Sequence, residues 1–153
     1  MSEISQLSKV AFTGHRHLKY DDVLPALRKI ATDFPDSAWI TGGAYGLDSH
    51  AARFALDNKI PLWLVLPFPA PVLCARWPKG DARDLLFRSV RDCTRFSVVS
   101  PVFSMASYQR RNEFMVDAAD VLAAFFDGSP GGTANCVRYA NEAGKKVVRF
   151  LGS

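Results

Sequence analysis

Thr41-Gly42-Gly43-Ala44-Tyr45-Gly46-Leu47-Asp48 decides the fold. The run follows the short apolar segment Ala38-Trp39-Ile40 and precedes a stretch with Ala51, Ala52, Ala55 and Leu56 at helical spacing, so it reads as a strand-to-helix turn. Glycines let the backbone take positive φ and come close to a ligand, while the free amides and dipole of the following helix attract an anion. Asp48 or Ser49 is expected to cap that helix. A second turn of this kind, Gly131-Gly132-Thr133, lies between the apolar run Val121 to Phe126 and a helical stretch bearing Val137, Ala140 and Ala143, with Thr133 as the expected cap. Two such turns predict a pocket for a phosphate-bearing, nucleotide-like ligand.

Outward from the first turn, Val10-Ala11-Phe12 leads into Thr13-Gly14-His15-Arg16, and a helix with Leu24, Leu27 and Ile30 on one side begins near Asp21-Asp22. The segment Pro61 to Leu66 is continuously apolar, as a central parallel strand buried on both faces should be. A proline-rich loop follows, then helical spacing from Asp81 to Arg91, a strand at Phe96 to Val99, and a helix from Arg110 to Ala118 whose Phe114 and Met115 face inward. Gly144 ends the last helix and Lys146 to Leu151 is the last strand. The alternation predicts an α/β, Rossmann-like, doubly wound and mainly parallel sheet with helices on both faces, holding Val10, Ile40, Leu64, Val98, Leu122 and Val148. Ligands bind such sheets beyond the carboxyl ends of the strands, where Gly14, Gly42 to Gly46 and Gly128 to Gly132 converge. The loops between Pro67 and Arg110 are the expected lids.

With 153 residues and 48% hydrophobic content the chain makes one compact domain, residues 1–153. No apolar run is long enough to span a membrane and the first residues lack a signal-peptide pattern, so a cytoplasmic protein is expected. Cys74, Cys93 and Cys136 show no CxxC spacing and read as reduced thiols. His15, His17 and His50 have no ligand partners at a recognisable spacing, so no metal is expected, nor any cofactor. The net charge of +4 suits an anionic ligand, but 15 acidic residues mixed among 19 basic ones permit nucleic-acid binding without implying it.

The order Thr13-Gly14-His15-Arg16, Gly42-Gly43-Ala44 with Gly46 and Asp48, Arg111-Asn112 with Met115 to Asp117 and Asp120, then Asp127-Gly128 and Gly131-Gly132-Thr133 resembles the SLOG superfamily over nearly the whole chain. Trp77, the Val98-Val99-Ser100 strand end and the run Arg111 to Asp117 are most similar to its small stand-alone YpsA-like branch. The resemblance implies a nucleotide-binding Rossmann-like domain that senses or binds a nucleotide-derived ligand and assembles as a homo-oligomer. It also implies two alternatives. Lonely Guy phosphoribohydrolases cleave nucleoside monophosphates with an Arg-Lys pair and a glycine loop ending in glutamate; Arg111 and Asn112 hold the pair's places, and Cys136 stands where that glutamate is expected. A glycosidase needs a carboxylate there, and a thiol does not replace it. DNA-processing protein A, whose Gly-x-Asp turn is similar to Gly46-Leu47-Asp48, implies single-stranded DNA binding, for which Arg76, Trp77, Lys79, Arg83, Arg88, Arg91 and Arg95 offer a basic, aromatic groove.

Each residue has a plain reading beside the functional one. Arg16 is a solvated arginine or a phosphate contact, Asn112 a backbone cap or a ligand contact, Asp48 an N-cap or a ligand or catalytic group, and Asp127 a turn former or a ribose contact. Arg111 is a principal anion contact, leading its helix, or pairs with Asp117 or Asp127 to hold the fold. Trp39, Trp63 and most phenylalanines are core; Trp77 and Tyr108 are candidates for stacking on a base. Part of the Phe103, Phe114 and Met115 region is expected to be exposed for self-association.

Overall fold

A computed structural model describes residues 3–151. Six strands, β1 (Ser8–Gly14), β2 (Ser37–Thr41), β3 (Leu62–Leu66), β4 (Arg95–Val98), β5 (Val121–Phe125) and β6 (Lys146–Phe150), form one sheet in the order β4-β3-β2-β1-β5-β6. All pairings are parallel, and the six residues expected in the sheet all lie in strands. The central strands β2, β3 and β5 are buried at every position. Edge strands β4 and β6 are only half-covered and carry Arg95, Lys146 and Arg149.

The two-residue period of the strands divides the core into layers. Ala11, Ile40, Trp63, Val65, Leu122 and Ala124 point to one face, where the short α1 (Glu3–Gln6), α6 (Met105–Ala118) and α7 (Gly132–Glu142) pack through Ile4, Met115, Val116, Val137 and Ala140. Val10, Phe12, Trp39, Leu62, Ala123 and Phe125 point to the other, under α2 (Tyr20–Asp33) and α3 (Leu47–Asp57). There Trp39 stacks on Phe54 with ring centroids 5.3 Å apart. Near the β4 edge, α4 (Ala70–Leu73) and α5 (Asp81–Asp92) cover Leu64, Leu66 and Phe68 with Leu73, Cys74 and Leu86. Each fully buried side chain of this size stabilises the fold by about 1.5 to 3 kcal/mol relative to leaving it in water.

Several local expectations are corrected. The helix expected from Arg110 starts five residues earlier, at Met105, with Ser104 in the N-cap position, so Arg111 lies inside the helix rather than at its head. Met115 is core, but its neighbour Phe114 is 42% exposed, because adjacent helical positions differ by 100° and Phe114 reaches only the edge of Trp63. Phe87, Phe96 and Phe103 are likewise exposed, Phe96 on the edge strand β4, where the sheet ends. Neither Asp48, Ser49 nor Thr133 caps its helix: Gly46 and Gly131 take the N-cap positions, and Asp48 and Thr133 sit buried inside the first turns. No described helix is long and apolar enough to cross a membrane.

Candidate functional site

The chain runs leftward from β1 through β4 and returns on the other side of β1 with β5 and β6. Between β1 and β5 the strand order reverses, and loops diverging from the carboxyl ends of neighbouring strands leave a crevice. A cavity of about 1080 Å³ lies there, lined among others by Thr13, Gly14, His15 and Arg16 after β1, Ala44, Tyr45 and Asp48 after β2, and Pro130, Gly131, Gly132 and Thr133 at the start of α7. Arg111 and Asn112 reach it from α6.

Arg111 is 5% exposed and bonds at two points. Nη1 donates to the carbonyl oxygen of Gly42, and Nε donates to Asn112 Oδ1 at 2.9 Å. Among the described residues Nη2 has no hydrogen-bond partner, and Arg111 lines the cavity. A guanidinium stays protonated at any ordinary pH, so Arg111 brings a fixed cation to the cavity lining even though burial pulls its pKa down. Asp48, also buried, accepts from the amide of Ala44 at 3.1 Å. Burial pushes its carboxyl pKa up; the Arg111 charge and the amides of Ala44 and Gly42 pull the other way without cancelling the shift. Neither Asp117 nor Asp127 pairs with Arg111. Asp117 accepts from the Tyr139 hydroxyl at 2.8 Å, and Asp127 turns to His15 and Ser129.

The glycines divide into two kinds. A Cβ on Gly42 would lie 2.7 Å from Arg111 Nη1, and one on Gly46, at φ +95°, would lie 2.5 Å from the Arg16 carbonyl oxygen. These positions let side chain and backbone cross. A Cβ on Gly131 or Gly132 would meet nothing within 4 Å, so the backbone at the start of α7 is bare toward the cavity. Amides at the start of an 11-residue helix, lining the same cavity as Arg111, can hold an anion.

Of the residues singled out in the sequence, Gly42, Gly43, Gly46, Asp127 and Gly128 do not line the cavity; the first three support its floor. The Asp127 carboxyl is pulled down to about 2 by the Ser129 hydroxyl and amide and by His15, whose Nε2 is 2.9 Å away. Trp77 and Tyr108 line the cavity, and so do Tyr45, Arg76, Phe103 and Met105. Tyr45 was legible as an aromatic side chain inside a glycine turn. Phe103 and Met105 were hidden by the late placement of the helix start. Of the basic groove, Arg76 and Trp77 reach the cavity, whereas Arg88 pairs with Asp57, Arg91 with Asp92, and Arg95 lies over the Trp63 ring. Cys136 is buried beneath the floor and burial raises its thiol to about 11, so position 136 supplies neither carboxylate nor thiolate. His50 contacts the Leu18 carbonyl at 2.7 Å, and no group of three metal-binding side chains converges among the described residues.

Sheet order and cleft together define a Rossmann-like α/β protein, and two solved structures share its fold. DNA processing protein A from Streptococcus pneumoniae superimposes with a TM-score of 0.74 at 18% identity over 99% of this chain and 53% of that one. The same protein from Helicobacter pylori, a single-stranded DNA binder, gives 0.73 at 17% over 100% of this chain and 69% of that one. The chain thus spans about half the length of the first. No family model matches the sequence. A curated relative, the uncharacterized SPbeta prophage-derived protein YoqJ of Bacillus subtilis (strain 168), is 48% identical over 136 residues, covering 80% of this chain and 80% of the relative, and the chain belongs to its family.

Proposed function

We propose that the cleft binds a nucleotide-like ligand through its phosphate, as a sensing or binding protein of the YpsA-like kind. The observation that carries this reading is the buried Arg111, which lines the cavity with Nη2 left without a hydrogen-bond partner among the described residues, in the same lining as the start of α7. Thr13, Gly14, Arg16, Ala44, Asp48, Asn112, Gly131, Gly132 and Thr133 complete the binding surface. A charge-assisted contact of the Arg111 kind contributes about 1.5 to 3 kcal/mol. A thermal-shift screen of nucleotides tests it: a ligand at 100 times its dissociation constant adds about 2.7 kcal/mol, or roughly 5 to 10 °C for a chain of this size. The absence of any shift with mono- and dinucleotides at millimolar concentration overturns the reading.

Single-stranded DNA is the second reading, supported by the fold shared with DNA processing protein A and by Arg16, Arg76, Tyr45 and Trp77 around the cavity. A gel shift that weakens steeply with salt supports it. N-glycosidic hydrolysis rests on Asp48, the single carboxylate lining the cavity among the described residues, since position 136 has none. Incubation with AMP, GMP, CMP and UMP should release no free base; turnover near about 10 per second would assign that chemistry to the cleft. Self-association through the exposed Phe103 and Phe114 belongs to the same proposal. A sedimentation mass of one chain at tens of micromolar, with and without ligand, removes it.

A further inference from the structure

Resting on the reading of the cleft as a phosphate site, we propose that His15, backed by Asp127, takes up a proton when the anion binds and becomes one of its contacts. Gly14 pairs with Phe125 across β1 and β5, so the two strands end side by side. His15 follows the first strand and Asp127 the second, which brings His15 Nε2 to 2.9 Å from Asp127 Oδ1. The same nitrogen lies 3.1 Å from the Asp127 amide, which donates to it. Nδ1 makes no hydrogen bond among the described residues, and His15, with its side chain 14% exposed, lines the cavity together with Arg111 and the start of α7.

One nitrogen cannot serve both neighbours at once. Without a proton Nε2 accepts from the amide and sets its lone pair against the carboxylate; with a proton it donates to the carboxylate. Asp127 keeps its charge in either case. Its Oδ1 accepts from the Ser129 hydroxyl at 2.6 Å and from the Ser129 amide at 2.9 Å, which holds the carboxyl down at about 2. An anion held against Nδ1 puts a second acceptor on the ring. A neutral imidazole has one N–H and satisfies one acceptor; imidazolium has two. In the complex Nε2–H therefore donates to Asp127 and Nδ1–H to the anion, the added proton coming from solvent.

The other charges around the ring tie this step to occupancy. His17, on the same loop, stacks on His15 with ring centroids 5.4 Å apart and is exposed, so solvent screens it. Arg16 lines the cavity next to His15, and Arg111 and Asp48 reach it from α6 and α3. Arg149 of β6 lies 4.5 Å over the Phe126 ring, whose far neighbour is His15 at 6.0 Å. The guanidiniums repel a further cation in the empty cleft, and a phosphate among them turns that repulsion into attraction.

The test is titration calorimetry of the full chain with AMP and ADP in buffers of different ionisation heat. From about pH 6.5 to 8.5 a nucleotide phosphate, with its second pKa near about 6, is already mostly dianionic. The parent protein should take up between about 0.5 and 1 proton per nucleotide at about pH 7.5, and affinity should fall as pH rises, by up to about tenfold per pH unit. His15→Gln should bind roughly 10-fold more weakly, with the uptake and the pH slope gone. Asp127→Asn should lose most of both, because its neutral side chain no longer calls for a proton on Nε2. His17→Gln, exposed and outside the cavity lining, should behave as the parent. Nucleotide binding without proton uptake, or uptake that persists in His15→Gln or Asp127→Asn, overturns the proposal and leaves the phosphate site standing. Failure of both AMP and ADP to bind at millimolar concentration overturns the two readings together.

Discussion

Arg111 in the middle of α6 donates from Nη1 to the carbonyl oxygen of Gly42, a residue 69 positions earlier in the chain. The contact ties the helix on one face of the sheet to the turn that ends β2, and it fixes Arg111 in the lining of the cavity. Asp48 lies close enough for the two charges to act on each other without forming an ion pair. One side chain therefore holds the fold and, in the proposed site, the ligand.

Arg111→Ala should both lose ligand binding and melt earlier. The Gly42 carbonyl would be left unpaired in a buried setting, which costs about 1 to 3 kcal/mol, or roughly 2 to 10 °C here. Arg110→Ala, whose guanidinium reaches only the Ser107 hydroxyl from an exposed position, should stay within about 0.5 kcal/mol of the parent. Differential scanning calorimetry of both variants, free and with nucleotide, checks the pair of expectations. An unchanged melting temperature for free Arg111→Ala would show that the Gly42 contact is energetically idle.

Gly42→Ala places its Cβ 2.7 Å from Arg111 Nη1 and 2.8 Å from Cζ, so the guanidinium must swing away. Ligand affinity should fall at least about tenfold, with overpacking costing about 1 to 3 kcal/mol. Gly132→Ala is the contrasting case. Its Cβ meets no protein atom within 4 Å, so stability should hold while the new methyl group obstructs an anion approaching the helix start. Urea denaturation and ligand titration of the two variants separate the effects.

The Thr41 hydroxyl is buried without a hydrogen-bond partner among the described residues, at the carboxyl end of β2. Thr41→Val keeps the shape and the β-branching and removes an unpaired oxygen. It should therefore raise stability by about 1 kcal/mol, roughly 2 to 4 °C, with ligand affinity unchanged. A lower melting temperature would mean that the hydroxyl is satisfied in solution.

Burial raises the Cys136 thiol from 9.0 to about 11, so the native state holds a proton that the unfolded chain gives up earlier. The sign follows from linkage: this contribution is complete below about pH 9 and is lost as pH rises toward 11, on the order of 2 to 3 kcal/mol. Cys136→Ala should unfold more easily than the parent near neutrality, and the gap should narrow in alkaline urea melts. A gap that stays constant from about pH 8 to 10.5 would show that the thiol does not titrate differently in the two states.

The sequence by itself determined the sheet and the place of the cleft. Periodicity is local: the apolar run of β3 and the glycine turns after β2 and before α7 need no tertiary information to mark strands, turns and helix starts. The glycine turn at Gly131 and Gly132, bare at the cavity, was legible for the same reason. What only the tertiary structure decided is which chemistry each candidate has left to offer. Gly42 and Gly46 proved to be crossing points for Arg111 and Arg16, Asp127 is engaged by His15 and Ser129, Cys136 is sealed under the floor, and Phe103 and Met105 became cavity wall. Those outcomes depend on contacts between residues far apart in the chain, and on desolvation, which is a property of what surrounds a group rather than of the group itself.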